Sequence, residues 1–464
     1  MSRSLSAGQA DELCVYSSPS PVNSDQGHAQ DTNLYSELHL ADDVFTPATA
    51  LKYGKLLEKK WTTVTRLERK ATLGLPLQVL ELEKQSAVLE SQLLRAEPVA
   101  KRPDPTFWIP SPQPKLQLES HTASVNCVAF HPVFSTLASG SDDCTIKIWD
   151  WELGELERTI KAHTQPVRDL DFGGPKGAVL LASCSSDLAV KLWDPTDSYS
   201  NIRTLNRHEH AVTSVRFLPC RESSKNLLVS ANADQTIRVW DVATGYCVKT
   251  LLGHGDWVRF ACPSEDGRFL LSSSSDRTAR LWDIDAHDGS AAVLTLIGHE
   301  NAVNTCAFAP PSSHQHLSSL AGAATAVPLS SSAEFFATGS RDKTIKLWDG
   351  KGRCVATLTG HGGWVNALVF HPGGKYIFSA ADDKTLRFWD IAQNGQCVGI
   401  LRGVHDGFIT SLRWLPTVRN LPTQKRDGRD SLVAGSKDSH GVAHFRCVIA
   451  TGSMDRKVKV FASE

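Results

Sequence analysis

The sequence predicts an all-β fold, a seven-bladed β-propeller, preceded by a short N-terminal helical segment. A Trp-Asp pair ends six successive segments of the chain, and a seventh segment ends at Phe461 without the Asp. The spacings between these aromatic positions are 44, 47, 42, 66, 41 and 72 residues. Four of them match or nearly match the period of about 40–45 residues that is typical of a four-stranded blade. The other two predict insertions in the fifth and seventh segments.

Three further positions recur in every segment. A His comes early and is followed four residues later by Val or Ile. An Asp lies six residues before the terminal aromatic, and a Ser or Thr lies four residues before that Asp. We call these four side chains the tetrad of a repeat. The seven tetrads are His121, Ser139, Asp143 and Trp149; His163, Ser183, Asp187 and Trp193; His208, Ser230, Asp234 and Trp240; His254, Ser272, Asp276 and Trp282; His299, Thr338, Asp342 and Trp348; His361, Ser379, Asp383 and Trp389; and His405, Thr451, Asp455 and Phe461.

A Ser, a His and an Asp also form the hydrolytic triad, so the tetrads need an interpretation. Seven copies of one active site in one chain are implausible. Buried polar groups need hydrogen-bond partners, and these side chains supply partners for one another. We therefore expect a structural network in each blade, in which the His bridges the Asp turn and the strand hydroxyl.

Residues 115–464 resemble the WD-repeat family. The resemblance implies a ring of four-stranded blades, none of which buries its apolar faces without its neighbours. We expect residues 115–119 to supply the outer strand of the last blade and so close the ring. The two insertions, around 311–333 and 421–446, are expected to leave the blades as disordered surface loops just after a first strand.

The N-terminal part has a different composition. Residues 1–50 are rich in polar residues and are expected to be disordered. Residues 51–97 show the spacing of a coiled coil, interrupted at Gly74 and Pro76. A single helix folded back on the propeller is the alternative. Residues 98–114 are rich in Pro and are expected to form a linker.

Composition excludes several classes of function. Lys plus Arg number 49 and Asp plus Glu number 50, a balance that argues against a general nucleic-acid binder. The 11 cysteines include no CxxC pair, and no apolar stretch reaches 18 residues, so we expect no metal and no membrane insertion. The motifs HExxH, GxSxG and GxxxxGK do not occur. We therefore expect neither catalytic residues nor a cofactor.

Five stretches narrow the resemblance to the lissencephaly / nuclear distribution F family of WD-repeat proteins, over residues 51–464. They are KYGKLLEKKWT at 52–62, WIP at 108–110, TGYCVKT at 244–250, GSRDKTIK at 339–346 and ADDKTLR at 381–387. The resemblance implies a non-catalytic regulator that binds the motor domain of cytoplasmic dynein with its propeller and self-associates through residues 51–97.

The same resemblance implies a partner, a place and two alternatives. The partner is a coiled-coil adaptor of the nuclear distribution E type. The place is the cytoplasm and its cytoskeleton, at microtubule ends and the spindle pole, with a role in minus-end-directed transport, nuclear migration and spindle positioning. The alternatives are a generic WD-repeat adaptor and a non-catalytic subunit of an acetylhydrolase complex.

One loop position singles out a candidate binding surface. The third residue after the tetrad His is a large aromatic in three repeats, as Trp257, Trp364 and Phe408. Arg259 and Arg341 lie nearby in sequence, and Trp, Phe and Arg dominate protein interfaces. The family resemblance independently implies motor contacts at Arg259, Arg341 and Trp364. We therefore predict a partner-binding surface from these five residues; the alternative is that the rings pack sideways on neighbouring loops.

Overall fold

The computed structural model describes residues 105–174, 179–219, 226–286, 292–322, 333–416 and 447–463. The expectations for residues 1–97 and for the loop at 421–446 lie outside these ranges. The described part contains seven four-stranded antiparallel sheets. The first strands of neighbouring sheets contact each other in sequence order, and the last of them, in blade 7, contacts the first, in blade 1. The predicted seven-bladed propeller is therefore confirmed.

Each blade is built from four strands that follow one another along the chain, except in blade 7. The strands of blades 1 to 3 are β2 (Val125–Phe130), β3 (Thr136–Ser141), β4 (Thr145–Asp150) and β5 (Glu155–Lys161); β6 (Val167–Gly173), β7 (Leu180–Ser185), β8 (Val190–Asp194) and β9 (Ser200–Leu205); and β10 (Val212–Phe217), β11 (Leu227–Asn232), β12 (Ile237–Asp241) and β13 (Cys247–Leu251).

The same order continues in the second half of the ring. The strands of blades 4 to 7 are β14 (Val258–Pro263), β15 (Phe269–Ser274), β16 (Thr278–Asp283) and β17 (Leu294–Ile297); β18 (Val303–Phe308), β19 (Phe335–Ser340), β20 (Ile345–Asp349) and β21 (Cys354–Leu358); β22 (Val365–Phe370), β23 (Tyr376–Ala381), β24 (Leu386–Asp390) and β25 (Gln396–Leu401); and β26 (Ile409–Trp414), β27 (Val448–Ser453), β28 (Lys457–Ala462) and β1 (Leu116–Glu119).

The hydrophobic core lies between blades rather than inside them. One cluster joins Leu192 of blade 2 to Val215 and Trp240 of blade 3. The second strand of each blade is almost wholly buried, whereas the outer strand β5 exposes most of its residues. A strand that is covered on both faces usually has a continuous run of apolar residues, whereas an edge strand has more polar residues. Each blade is therefore stable through its neighbours.

The two ends of the propeller close the ring in blade 7. Strand β1 pairs antiparallel with β28, with Leu116 opposite Val460 and Glu119 opposite Lys457. Leu118 of β1 is 2% exposed and belongs to the core beside blade 1. The predicted closing strand is therefore confirmed. Upstream of it, Trp108 packs edge-on against Trp414 with ring centroids 5.5 Å apart, so this part of the expected linker is anchored to the ring.

The insertion in blade 5 corrects one expectation. Residues Pro311–Leu320, expected to be disordered, form the helix α1 with Pro at its first position. Leu317 is buried in the core shared by blades 5 and 6, and Ser312 Oγ donates to the Pro372 carbonyl at 2.8 Å. Gly374, at φ +78°, leaves room for the first turn, since a Cβ there would meet the Ser312 backbone at 2.3 Å. The sequence concealed this helix because its two leucines, both near its end, are too few to establish an apolar period.

Candidate protein-binding face

The tetrad residues of each repeat are joined by hydrogen bonds. In the sixth repeat, His361 Nδ1 lies 2.8 Å from Asp383 Oδ2, and His361 Nε2 lies 2.7 Å from Ser379 Oγ. Trp389 Nε1 donates to the same Ser379 oxygen at 2.8 Å. The corresponding three contacts are present in each of the first six repeats, and in the seventh Phe461 has no N–H to donate.

Ionisation states fix the direction of these bonds. Burial favours the neutral form of Asp143, but hydrogen bonds from Thr145 and His121 outweigh it and lower its pKa to about 2. Burial also lowers the pKa of His121 and keeps the ring neutral. A charged carboxylate accepts only, so His121 Nδ1 carries the proton and Nε2 accepts from the hydroxyl of Ser139. The hydroxyl is fully buried and doubly engaged, which suits it to structure and not to attack on a substrate.

The loop that carries the predicted aromatics has the same backbone geometry in all seven repeats. The carbonyl of the third residue after each tetrad His accepts a hydrogen bond from the N–H just before the tetrad Asp. These bonds measure 2.9–3.1 Å around the ring. We call the face that carries these loops and the Asp turns the top face. Because the backbone is equivalent in each blade, any difference between blades at this position lies in the side chain.

The side chains at this position differ strongly in exposure. Trp257 is 51% exposed, and Trp364 and Phe408 are each 43% exposed, whereas Ala302 at the same position is 6% exposed. Sideways packing therefore covers only part of each ring. The top face presents three large apolar surfaces to solvent, in blades 4, 6 and 7.

Two of these aromatics lie beside the predicted arginines. Arg341, from blade 5, places its guanidinium carbon 4.3 Å from the ring centroid of Trp364, from blade 6. The guanidinium carbon of Arg259 lies 5.6 Å from the ring centroid of Trp257. A guanidinium over an aromatic face is attracted by the ring quadrupole and is held in one orientation. The structure thus brings four of the five predicted residues together as two stacked pairs.

Polar neighbours that the sequence reasoning missed fix these arginines. Arg341 Nε donates to Asn304 Oδ1 at 3.1 Å, and Asn304 Nδ2 donates to Asn366 Oδ1 at 3.2 Å. Arg259 Nε donates to Ser275 Oγ at 2.7 Å. Asn304 and Asn366 both follow the Val that begins the first strand of their blade. An alignment of the seven repeat sequences, extended to the residue after that Val, would have identified both asparagines.

Electrostatics distinguish the two arginines. Burial, followed by the positive charge of Arg341, lowers the pKa of Arg259 to about 10. Burial also lowers the pKa of Arg341, while the negative charge of Asp382 opposes that effect. A cation whose pKa is lowered in this way lacks full compensation by nearby anions. The pairs therefore form a positively charged patch beside exposed aromatic rings.

Metal-binding clusters and membrane-spanning helices are other kinds of functional feature. Within the described ranges, no group of three or more His, Cys, Asp or Glu is placed to hold a metal ion. The helices of the same ranges include none long and apolar enough to cross a membrane.

Comparison with a model of the family described as WD domain, G-beta repeat, matches residues 112–150, 154–194, 199–241, 245–283, 291–349 and 352–390. The structure adds a seventh blade, in which β26, β27 and β28 are completed by β1. Three curated relatives are similar over nearly the whole chain. Nuclear distribution protein PAC1 of Arthroderma otae is 54% identical over 93% of both chains, PAC1 of Gibberella zeae is 51% identical over 100% of both, and nuclear distribution protein nudF 1 of Talaromyces marneffei is 48% identical over 100% of both.

These matches cover both the repeats and the residues before the ring, at identities well above those that show a fold alone. The chain therefore belongs to the WD-repeat family and, within it, to the nuclear distribution proteins of the PAC1 and nudF kind.

Proposed function

We propose that this protein is a non-catalytic regulator that binds the motor domain of cytoplasmic dynein through its top face and so serves nuclear distribution. The names of its relatives support the role in nuclear distribution, and the resemblance of the sequence to the lissencephaly / nuclear distribution F family supports the motor as partner. The same reasoning proposes the cytoplasmic cytoskeleton, including microtubule ends and the spindle pole, as its place. A nuclear-distribution-E-type adaptor and a second copy, through residues 51–97, are proposed as further partners.

The observation that carries the proposal is the asymmetry of the top face. The loop backbone repeats in all seven blades, yet Trp257, Trp364 and Phe408 are the large aromatics at the equivalent position. If an aromatic side chain at this loop position were needed for folding, the need would apply equally to every blade. Exposed aromatics in three blades are therefore better explained by a partner than by stability.

The chemistry of the patch suits a specific partner surface. Trp364 supplies a large rigid ring to fill a pocket, and Arg341 holds that ring in place from the neighbouring blade. The incompletely compensated charge of Arg259 favours carboxylates on the partner, which a guanidinium binds in a bidentate manner. We expect the rings to supply most of the affinity and the arginines to supply orientation and association rate.

The direct test measures the affinity of the purified motor domain for variants of the top face. Trp364→Ala should weaken binding roughly 30-fold or more, because a buried aromatic anchor is worth about 2–4 kcal/mol. Arg259→Ala and Arg341→Ala should cause smaller losses that shrink at high salt. Trp257→Ala and Phe408→Ala test whether the surface extends across blades 4 to 7.

A matched control comes from the opposite face. Tyr246 is an aromatic that is even more exposed than Trp364, and it lies in the turn between β12 and β13, which antiparallel pairing places away from the top face. Tyr246→Ala should leave affinity unchanged, with circular dichroism as the folding control for every variant. Wild-type affinity in a folded Trp364→Ala protein, or an equal loss in Tyr246→Ala, would reject the proposed face. Capture of acetylhydrolase subunits without motor subunits would favour the alternative role.

A further inference from the structure

The centre of the ring holds a cavity whose lining contains more arginines than carboxylates. About 160 Å³ is enclosed by the first strands, and its lining includes four arginines and one carboxylate. These are Arg168, Arg216, Arg259, Arg413 and Asp169. Two carboxylates stand behind the lining, Asp142 at 3.8 Å from Arg168, and Asp171, whose charge acts on Arg216. Asp256 likewise acts on Arg259, so the excess of arginines over carboxylates is a property of the lining itself.

The propeller architecture does not require this charge. The residue after the first Val or Ile of each inner strand lines the cavity in all seven blades. In five blades it is Asn or Thr, and its side chain donates to a backbone carbonyl of the next blade, as Thr410 Oγ1 does to Val125 at 2.6 Å. Blades 2 and 4 carry Arg168 and Arg259 instead. A neutral residue serves the ring elsewhere, so ring packing does not explain Arg168, whereas Arg259 is already part of the proposed motor contact.

The other two of the four lining arginines surround one aromatic ring. Arg216 and Arg413, from blades 3 and 7, lie 4.8 and 5.5 Å from the centroid of Phe260. Both approach Asp169, Arg216 at 2.7 Å and Arg413 at 3.8 Å. Asp169 is already engaged by Ser214 Oγ and two backbone N–H groups. The single Asp169 carboxylate is therefore shared by two guanidinium groups, and N–H donors of Arg413 remain available for another acceptor.

Two buried polar atoms of the lining are left without partners. Arg216, 4% exposed, and Ser411, 8% exposed, are both more than nine-tenths buried. Neither Arg216 Nε nor Ser411 Oγ hydrogen-bonds to any residue in the described part of the chain. A buried donor without a partner costs about 1–3 kcal/mol. Both residues line the same cavity as the four arginines, so an acceptor-rich anion in the cavity would offer partners to such donors.

From this arrangement we propose that the central cavity binds a phosphate group, with Arg413, Arg216 and Ser411 as the inner donors and Arg168 at the mouth. A tetrahedral oxyanion offers several acceptors in a small volume, which matches clustered guanidiniums and a hydroxyl. The phosphate is either free inorganic phosphate or the phosphomonoester of a small metabolite. Arg259 lines the cavity and also belongs to the proposed motor contact, but it is not one of the proposed phosphate donors, so the two sites share no donor.

The test uses the full chain and isothermal titration calorimetry at constant ionic strength, set with sodium chloride. Inorganic phosphate is the probe for the free ion, and glycerol 3-phosphate is the probe for a phosphomonoester. We expect saturable binding of at least one probe, with the tighter one identifying the source. The melting temperature should rise with the same probe, because a ligand that binds the folded state stabilises it.

Matched variants separate a site from general charge. Arg413→Gln and Arg168→Gln should weaken binding about tenfold or more, since each removes a charged donor. Arg268→Gln removes an equal charge from the surface, where Arg268 pairs with Asp283, and should change affinity less than about twofold. Should Arg413→Gln fail to fold by circular dichroism, Arg168→Gln and Ser411→Ala decide. Absence of saturable binding of both probes, or an equal loss in Arg268→Gln, overturns the proposal.

Discussion

The tetrads and the exposed loop positions of the top face lie a few residues apart in every blade, yet they follow opposite rules. The tetrads keep the same contacts around the ring, with fully buried hydroxyls. The loop positions keep the same backbone hydrogen bond but carry Ser124, Pro166, Ala211, Trp257, Ala302, Trp364 and Phe408. A position whose side chain is free of folding demands is available for a partner. Comparison between blades thus separates side chains that hold the ring together from those that it presents.

The largest expected difference between the tetrads and the loop positions is in how much each contributes to the loss of folding stability in acid. Burial favours the neutral carboxyl, but the hydrogen bond from the tetrad His and further hydrogen bonds within the Asp turn lower the pKa of Asp143, Asp234 and Asp455 to about 2 from an ordinary 3.8. The unfolded chain therefore takes up these protons first as the pH falls. Their contribution is full above about pH 4 and is lost toward pH 2, at about 1.4 kcal/mol for each unit of pKa difference.

The tetrad histidines add to the same trend. Burial lowers the pKa of His121, His163, His208 and His299 below 6.5 in the folded chain, so the unfolded chain binds their protons first. Their contribution therefore falls as the pH drops below about 6.5. Denaturant unfolding measured between pH 7 and pH 2 should show a continuous loss of stability. Trp364→Ala should follow the wild-type curve; a shifted curve would mean that the top face also stabilises the fold.

The next contrast comes from a single tetrad. His361→Ala should lower the free energy of unfolding by about 1–3 kcal/mol, because Ser379 and Asp383 lose a buried partner. Motor affinity of the folded fraction should stay within about twofold of wild type, in line with the separation of the two sets. His210→Ala, at an exposed position, is the control and should leave stability unchanged. A hydrolase activity lost in stable His361→Ala protein would contradict the structural interpretation of the tetrads.

A smaller effect is expected where the seventh tetrad departs from the others. Phe461 lies where six repeats have Trp, and Thr451 Oγ1 is therefore without the indole donor. Phe461→Trp should raise the free energy of unfolding by about 0.5–1.5 kcal/mol if the pocket admits the larger ring, since one buried hydrogen bond is added. Chemical denaturation measures the gain. Trp389→Phe, the reverse change in blade 6, should destabilise by a similar amount; no effect in either protein would show that the indole bond adds nothing.

The smallest effect should come from the stacked pair on the top face. Arg341→Lys keeps the charge but loses the planar group that lies over Trp364. We expect motor affinity to fall about two- to fivefold, the worth of an exposed cation–π contact of about 0.5–1 kcal/mol. In the Trp364→Ala background the same change should have almost no effect, because the stacking partner is gone. Additive losses in the double variant would show that the two side chains act separately.

Sequence reasoning reached the blades because their signals are local. Five of the seven tetrads, from His361 to Trp389 for example, span about thirty residues, and the same four positions recur in all seven repeats, so chance agreement is negligible. It also reached the closing strand, since a ring with an open edge would expose unpaired backbone. It failed at α1, where Leu317 and His314 are buried by contacts with blades 5 and 6 that no local pattern encodes.

The sequence by itself determined the number of blades, their tetrads and the identity of the exposed aromatics, because these follow from the order of side chains along each repeat. The tertiary structure decided which of them meet. Arg341 and Trp364 are 23 positions apart and belong to different blades, yet stack at 4.3 Å. Arg216 and Arg413 meet at Phe260 across the ring axis, nearly two hundred residues apart. Ring closure sets such contacts, and it depends on the packing of all seven blades together.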